Sequence, residues 1–336
     1  MKKNIFVRAA TLFVLVLFLF SLVGCEGRER SQESSFFAFD TVCTVWDYTG
    51  MDEEAFLSLA EDIKASANHY HRLFDAYNEV GDVVNIASLN RLAGTGPVEV
   101  DPAIIDLLTF SEEMYELTGG KVNFALGSVT YLWKSLTSGK NPRIPTEAEI
   151  TEAGKHISPD SVIIDKEGST VEITDARLRI DVGAIAKGYT AELIKAELLS
   201  LGYEGIILDF GGNICAVGKE KQIPIRNPLY FEGADEPYIR ETLVRSEALV
   251  TSGVYQRYCV IDGVRYHHII DTDTLRPETR YLSVSVRAAH SGVADALSTA
   301  LFNMDFDLAE DFISSFGEGL EVTFAFPDGR VQTLEN

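Results

Sequence analysis

Positive charge is what this sequence has least of. Against 51 Asp and Glu there are 29 Lys and Arg in 336 residues, a net charge of −22. That shortfall excludes a partner held through a broad basic surface, so nucleic acid is ruled out as the main ligand. An anionic small molecule stays open if backbone amides, a few cations or a metal compensate it locally. Cysteine is scarce too. Cys25, Cys43, Cys215 and Cys259 follow no zinc spacing. With Cys25 set aside for the reason given below, an odd three remain and no disulfide framework uses them all. These three read as small buried apolar residues. Known signatures are missing as well: no phosphate loop completed by Gly-Lys-Ser/Thr, no Gly-x-Gly-x-x-Gly and no Gly-x-Ser-x-Gly elbow. What is present is an ordinary folded composition, 46% hydrophobic and 10% aromatic, long enough for a large core.

A long apolar run occurs once, from Ala9 to Val23, behind the basic start of Lys2, Lys3 and Arg8. Its length, positive flank and small-residue end predict a secretion signal over residues 1–24, the alternative being an uncleaved signal anchor. The ending Leu22-Val23-Gly24-Cys25 resembles a bacterial lipobox, which predicts lipidation of Cys25 and an extracytoplasmic protein anchored to the cell membrane by lipid. Removing residues 1–24 leaves 26 Lys and Arg against 51 acids, a net −25. Residues 25–35 form the lipidated cysteine and a polar tether, and residues 36–336 one domain.

Within that domain, Phe36–Tyr48 is predicted as a first strand and Glu53–Phe74 as a long helix with apolar residues at helical spacing. Asp101 and Pro102 start a second helix that runs to Leu117 and stops at Gly119-Gly120. Strand-like runs follow at 162–164, 171–173 and 178–180, then a helix over 185–201. An apolar strand over 206–217 is interrupted by Gly211-Gly212. Further strands are predicted at 242–250, 255–261, 281–288 and 320–326, with a helix over 293–304. Helices and hairpins mix without regular βαβ alternation, so the class is α+β: a single large domain of mixed, mostly antiparallel sheets flanked by helices.

Four segments carry candidate chemistry. In Asp181-Val182-Gly183-Ala184-Ile185-Ala186-Lys187-Gly188-Tyr189 a strand-like run turns into a helix, offering N–H groups to phosphate oxygens. Lys187 in the first turn opposes the helix dipole, an unfavourable placement that suits an anion site or, more plainly, a surface lysine. Gly211-Gly212 marks a bulge or a close approach of backbone or ligand. Asp295 and Thr299 share one helix face with Ser298 alongside, which is hard-ligand chemistry suited to Mg²⁺ or a simple dipole partner. His267 and His268 point to opposite strand faces, so at most one meets a site, where a neutral ring is a general base for a hydroxyl.

Together and in this order the segments resemble the ApbE-like flavin transferases, many of them lipoproteins. The matching stretches are Ala186-Lys187-Gly188-Tyr189, Gly211-Gly212-Asn213-Ile214, Thr251-Ser252-Gly253, Tyr266-His267-His268-Ile269-Ile270-Asp271 and Ala294-Asp295 through Thr299. Tyr77-Asn78, Ser88-Leu89-Asn90 and Thr118-Gly119-Gly120 fit upstream. The resemblance runs from about Phe36 to Met304 and implies a Mg²⁺-dependent transfer of FMN from FAD to a Thr or Ser hydroxyl of an acceptor flavoprotein, with AMP released. It implies that the Ala184 carbonyl, Asp295 and Thr299 hold Mg²⁺. It also implies that Tyr77, Lys121, Val122, Asn123, Asp181, Lys187 and Ile270 contact FAD, and that His268 or Asp181 handles the acceptor proton. Asn123 stands where the family usually has Asp. The implied acceptors are flavoproteins of membrane redox complexes or extracellular electron-transfer proteins. Two other readings share the site: a Mg²⁺-dependent FAD pyrophosphatase and a non-catalytic FAD-binding lipoprotein.

Overall fold

The computed structural model describes residues 31–336 apart from 82, 139–141 and 256, and the side chains of 231 and 232 are not described. The signal segment and Cys25 lie outside the described residues. Among the described residues no helix is long and apolar enough to cross a membrane.

The first elements are a hairpin, β1 (Gln32–Ala38) and β2 (Thr41–Asp47), and the helix α1 (Glu53–Phe74), whose Asp52 cap accepts from the Ala55 N–H. Next come α2 (Ile86–Arg91), β3 (Val98–Glu99) and α3 (Pro102–Leu117). Asp101 caps α3 by accepting from the Ala103 N–H, with Pro102 in the first turn, as the sequence predicts. Then follow α4 (Gly127–Thr137), α5 (Glu147–Ala153), β4 (Val162–Asp165) and β5 (Thr170–Ile173). The helix α6 (Ala186–Ser200) leads to β6 (Ile206–Phe210), β7 (Asn213–Val217), β8 (Glu220–Arg226) and β9 (Tyr238–Arg245). After β10 (Ala248–Gly253) come β11 (Tyr258–Ile261), β12 (Val264–His267) and β13 (Ser283–Ala288). The last elements are α7 (Ser291–Phe302), α8 (Phe306–Ser315), β14 (Glu321–Ala325) and β15 (Val331–Glu335).

Eight strands form one antiparallel sheet in the order β1-β2-β6-β7-β10-β13-β14-β15. Period-two alternation gives its middle two buried faces. Leu208, Phe210, Cys215, Val217, Ala248 and Val250 join the main core, which α1, α6 and α7 cover. The intervening Ile207, Ala216 and Leu249 pack on the other side against Ile223, Ile225 and Val244 of the β8–β9 hairpin. The α+β expectation holds.

Several predicted strands are two strands folded back. The run over 36–48 is the β1–β2 hairpin, turned at Phe39 and Asp40 with φ of 53° and 55°. Strand β1 already begins at Gln32, whose amide donates to the Met51 carbonyl at 2.7 Å, so the last residues assigned to the tether belong to the sheet. The Gly211-Gly212 interruption is the turn of the β6–β7 hairpin rather than a bulge. Gly211 is required there: at φ 67° an added Cβ would lie 2.3 Å from the Thr41 hydroxyl oxygen. The run over 242–250 breaks at Ser246, φ 51°, into β9 and β10. Residues 178–180 form no strand. Instead the Asn90 side chain takes the place of a neighbouring strand, accepting from the Ile180 N–H at 2.6 Å and donating to its carbonyl at 2.9 Å.

Candidate active site

Beside the turns of the central hairpins lies a cavity of about 1180 Å³. The residues that the resemblance assigns to catalysis, flavin and cation all line it: Tyr77, Lys121, Val122, Asn123, Asp181, Ala184, Lys187, His268, Ile270, Asp295 and Thr299. Three groups of contacts build its walls.

The inner wall is the junction of α6 and α7. Gly188 makes the junction possible, because a Cβ there would sit 2.4 Å from the Ser291 carbonyl oxygen and 2.6 Å from the Asp295 Cβ. Its N–H donates to Asp295 Oδ2 at 2.8 Å, and Lys187 Nζ lies 3.3 Å from both carboxylate oxygens. Asp295 is buried, and burial raises its pKa while Lys187 pulls it back. Asn213 is also fully buried, and its Oδ1 accepts from Ser291. Thr299 completes this wall, 3.2 Å from Ser252. Among the described residues no group of three or more His, Cys, Asp or Glu gathers to hold a metal. One buried carboxylate with hydroxyl and carbonyl oxygens nonetheless fits a hard divalent cation that draws its remaining ligands from phosphate and water.

The turn into α6 departs from the expected phosphate cradle. Gly183 donates to Asp181 Oδ1, Ile185 and Ala186 both donate to the Val182 carbonyl, and Gly188 serves Asp295. Most of the amides counted on for an anion are therefore spent inside the chain. The Lys187 ammonium is the cation that this segment brings to the cavity.

The second wall centres on Asp181. Its Oδ2 accepts from the Tyr77 hydroxyl at 2.7 Å and the Thr130 hydroxyl at 2.6 Å. Burial, and then the Asp181 charge, push the Tyr77 hydroxyl pKa up, so it stays a donor. Lys134 Nζ stands 3.3 Å over the Tyr77 ring, and Tyr131 stacks against it at 6.3 Å. Thr130, Tyr131 and Lys134 belong to α4, which the sequence reading missed. Its signal was present in the helical spacing of Leu126, Val129, Trp133 and Leu136, shortened by the glycine at its start.

The third wall runs from Lys121–Asn123 to the β11–β12 hairpin. Lys121 pairs with Asp273 at 2.6 Å and lies 4.0 Å from Asp271. The Asn123 amide is used at both ends, donating to the Ile157 carbonyl and accepting from the Ala125 N–H, so it braces the loop. Val122 and Ile270 are buried apolar lining. The two histidines separate as expected. His267 turns inward, its Nε2 bonded to the Glu278 carbonyl and its Nδ1 accepting from Ile269. His268 is open to the cavity, and its Nδ1 lies 3.2 Å from the Arg257 carbonyl. A carbonyl only accepts, so the proton sits on Nδ1 and Nε2 keeps a free lone pair. Desolvation within the cavity, and then the Arg257 charge, push the His268 pKa down to about 4. Cys43 and Cys215 are buried as expected, but Cys259 is half-buried and lines the cavity.

An antiparallel α+β domain whose nucleotide-sized cavity holds a buried carboxylate paired with Lys187 and a neutral histidine offers a cation and a base to an anionic ligand, in place of a hydrolase triad or a dinucleotide loop. Its family is established by likeness: residues 39–324 match the ApbE family, and the chain belongs to it. It is 32% identical over 340 residues to the FAD:protein FMN transferase of Treponema pallidum, covering 95% of this chain and 91% of that one. The FAD:protein FMN transferase of Klebsiella pneumoniae is 28% identical, covering 77% and 83% of the two chains. Among solved structures, an ApbE protein from Thermotoga maritima superposes with a TM-score of 0.80 at 27% identity, covering 90% of this chain and 96% of that one.

Proposed function

We propose that this protein transfers FMN from FAD to a Thr or Ser hydroxyl of an acceptor protein, forming a phosphoester and releasing AMP. The observation that carries the reading is the convergence of the separate sequence motifs on one cavity large enough for a dinucleotide, with Lys187 and Asp295 side by side on its wall. Family membership and the activity for which the relatives are named support it.

The reaction joins the acceptor oxygen to the FMN phosphorus as the pyrophosphate P–O bond breaks. The bonding pair leaves on AMP, and the hydroxyl proton must be taken up. His268 Nε2 is the acceptor for that proton, since its ring is neutral and its Nδ1 is already committed to donation. Asp181 accepts three hydrogen bonds, from Tyr77, Thr130 and Gly183, which suits it to holding the flavin wall rather than to moving a proton. Lys187 offers its ammonium to phosphate oxygens where charge accumulates. Asp295, Thr299 and the Ala184 carbonyl would hold Mg²⁺, which bound there neutralises the pyrophosphate and so reconciles an acidic protein with an anionic substrate.

The Leu22–Cys25 pattern supports an extracytoplasmic, lipid-anchored location facing flavoproteins of membrane redox complexes or extracellular electron-transfer proteins. The test incubates full-length protein with FAD, Mg²⁺ and a Ser/Thr-bearing acceptor domain, following acceptor mass and AMP together. One added FMN per acceptor with stoichiometric AMP is expected. Free FMN with an unmodified acceptor would make the protein a pyrophosphatase, and intact FAD would make it a carrier. Asp295→Ala is expected to slow transfer by at least about a hundredfold, and parental speed would remove Asp295 from the cation site.

A further inference from the structure

Three hydroxyls between β10 and α7 stand in a line whose direction the structure fixes. Ser298 Oγ is 2.9 Å from the Asp295 backbone carbonyl, Ser252 Oγ is 2.8 Å from Ser298 Oγ, and Thr299 Oγ1 is 3.2 Å from Ser252 Oγ. Each hydroxyl has one proton to give, and a carbonyl has none. Ser298 therefore donates to the carbonyl and must accept from Ser252. Ser252, having given its proton to Ser298, must accept from Thr299. The Thr299 proton is thereby drawn away from the cavity, and the oxygen turns its remaining lone pair toward it.

We infer that Ser252 and Ser298 are positioning residues that set the polarity of Thr299, making it a ligand for a divalent cation and not a hydrogen-bond donor to phosphate. This rests on the cation site proposed above and deepens it. The relay gives work to Thr251-Ser252-Gly253, a motif whose serine has no nucleophile elbow, and to Ser298, a fully buried hydroxyl beside the Asp–Lys pair. It also gives a reason for joining β10 to α7 through side chains: the β10 serine reaches across to two consecutive residues of the helix. Ser252 stands at the cavity wall and Ser298 is fully buried behind it, and both act through Thr299. Removing Ser298 would free the Ser252 proton to point at Thr299, reversing the last link without altering either residue in it.

The test is a Mn²⁺ titration of the full-length protein, without flavin, read by the electron paramagnetic resonance of free Mn²⁺. Melting temperature is followed for each variant. Thr299→Val and Ser252→Ala are each expected to raise the Mn²⁺ dissociation constant about tenfold, and the double variant should be no weaker than Thr299→Val alone. Ser252→Thr, which keeps the hydroxyl, should bind within about twofold of the parent. Ser298→Ala should weaken Mn²⁺ binding with Ser252 and Thr299 intact, and it stands in if Ser252→Ala does not fold. Parental affinity in folded Ser252→Ala or Ser298→Ala, alongside weak binding by Thr299→Val, would overturn the relay and leave the cation site standing. Parental affinity in Thr299→Val, or no binding by the parent, would remove the cation site and the relay with it.

Discussion

The inner and outer walls of the cavity are built on opposite plans. At the α6–α7 junction Asp295 is 3% exposed with Lys187 half-buried beside it, and the helices touch backbone to side chain through a glycine. Opposite, α4 and the β11–β12 hairpin present open side chains: Tyr131 is 56% exposed, Tyr258 48% and Val264 52%. Fixed charges act most strongly where solvent is excluded, so the wall proposed to meet the phosphates gains from being rigid. An acceptor protein must enter and leave, and an open wall with aromatic and aliphatic side chains suits that traffic.

The sharpest way to break this contrast is Gly188→Ala. Its methyl group would meet the Ser291 carbonyl and Asp295 Cβ, neither of which can swing aside. A loss of about 3 kcal/mol in urea denaturation is expected, with transfer lost in parallel. A loss below about 1 kcal/mol would show that the junction yields and is not the rigid wall described. Thr130→Val tests the more open side. Asp181 keeps Tyr77 and Gly183 but loses one donor, so the KM for FAD should rise about fivefold with stability nearly unchanged. An unchanged KM would separate α4 from flavin binding.

The smallest effect concerns pH. The His268 pKa is lowered from 6.5 to about 4, so between those values the unfolded chain binds the proton that the folded chain refuses. This group's contribution to stability is therefore present above pH 6.5, falls as the pH drops toward 4, and changes no further below that. Transfer that needs the neutral ring should be flat from pH 8 to 6, with an acid limb near 4 that His268→Asn removes. An acid limb near 6.5 would mean that the ring titrates as an open surface imidazole.

What was legible in the sequence follows the same division. Lys187-Gly188 and Asp295 to Thr299 are each written within one or two helical turns, so both segments are visible locally, and the i, i+4 spacing places Asp295 and Thr299 on one face. The Asp101-Pro102 start and the 22-residue α1 were equally visible, because capping and periodicity are local. Thr130 meets Asp181 across 51 residues and Tyr77 meets it across 104, and no local pattern announces either contact. The hairpins read as single strands failed for another reason. Two of their turns use Phe39, Asp40 and Ser246 at positive φ, where glycine or asparagine would have signalled the reversal, whereas at Gly211-Gly212 the signal was present and was taken for an interruption of one strand. At Phe39 and Asp40 the strain is held by tertiary contacts, since Arg257 donates to both carbonyls. Asn123 was read through the charge it lacks, whereas its amide is committed to the backbone at both ends.

The placement of the thiols gives the molecule a built-in reporter. Burial pushes Cys43 and Cys215 up to about 12, leaving them protonated and out of reach of an alkylating reagent. Cys259, half-buried on the cavity wall, is the accessible thiol among the described residues. Where Cys25 carries the proposed lipid, a maleimide dye added to the folded protein should mark one position, and its rate of attachment should fall as flavin fills the cavity. Occupancy could then be read from labelling speed alone, without an acceptor and without turnover.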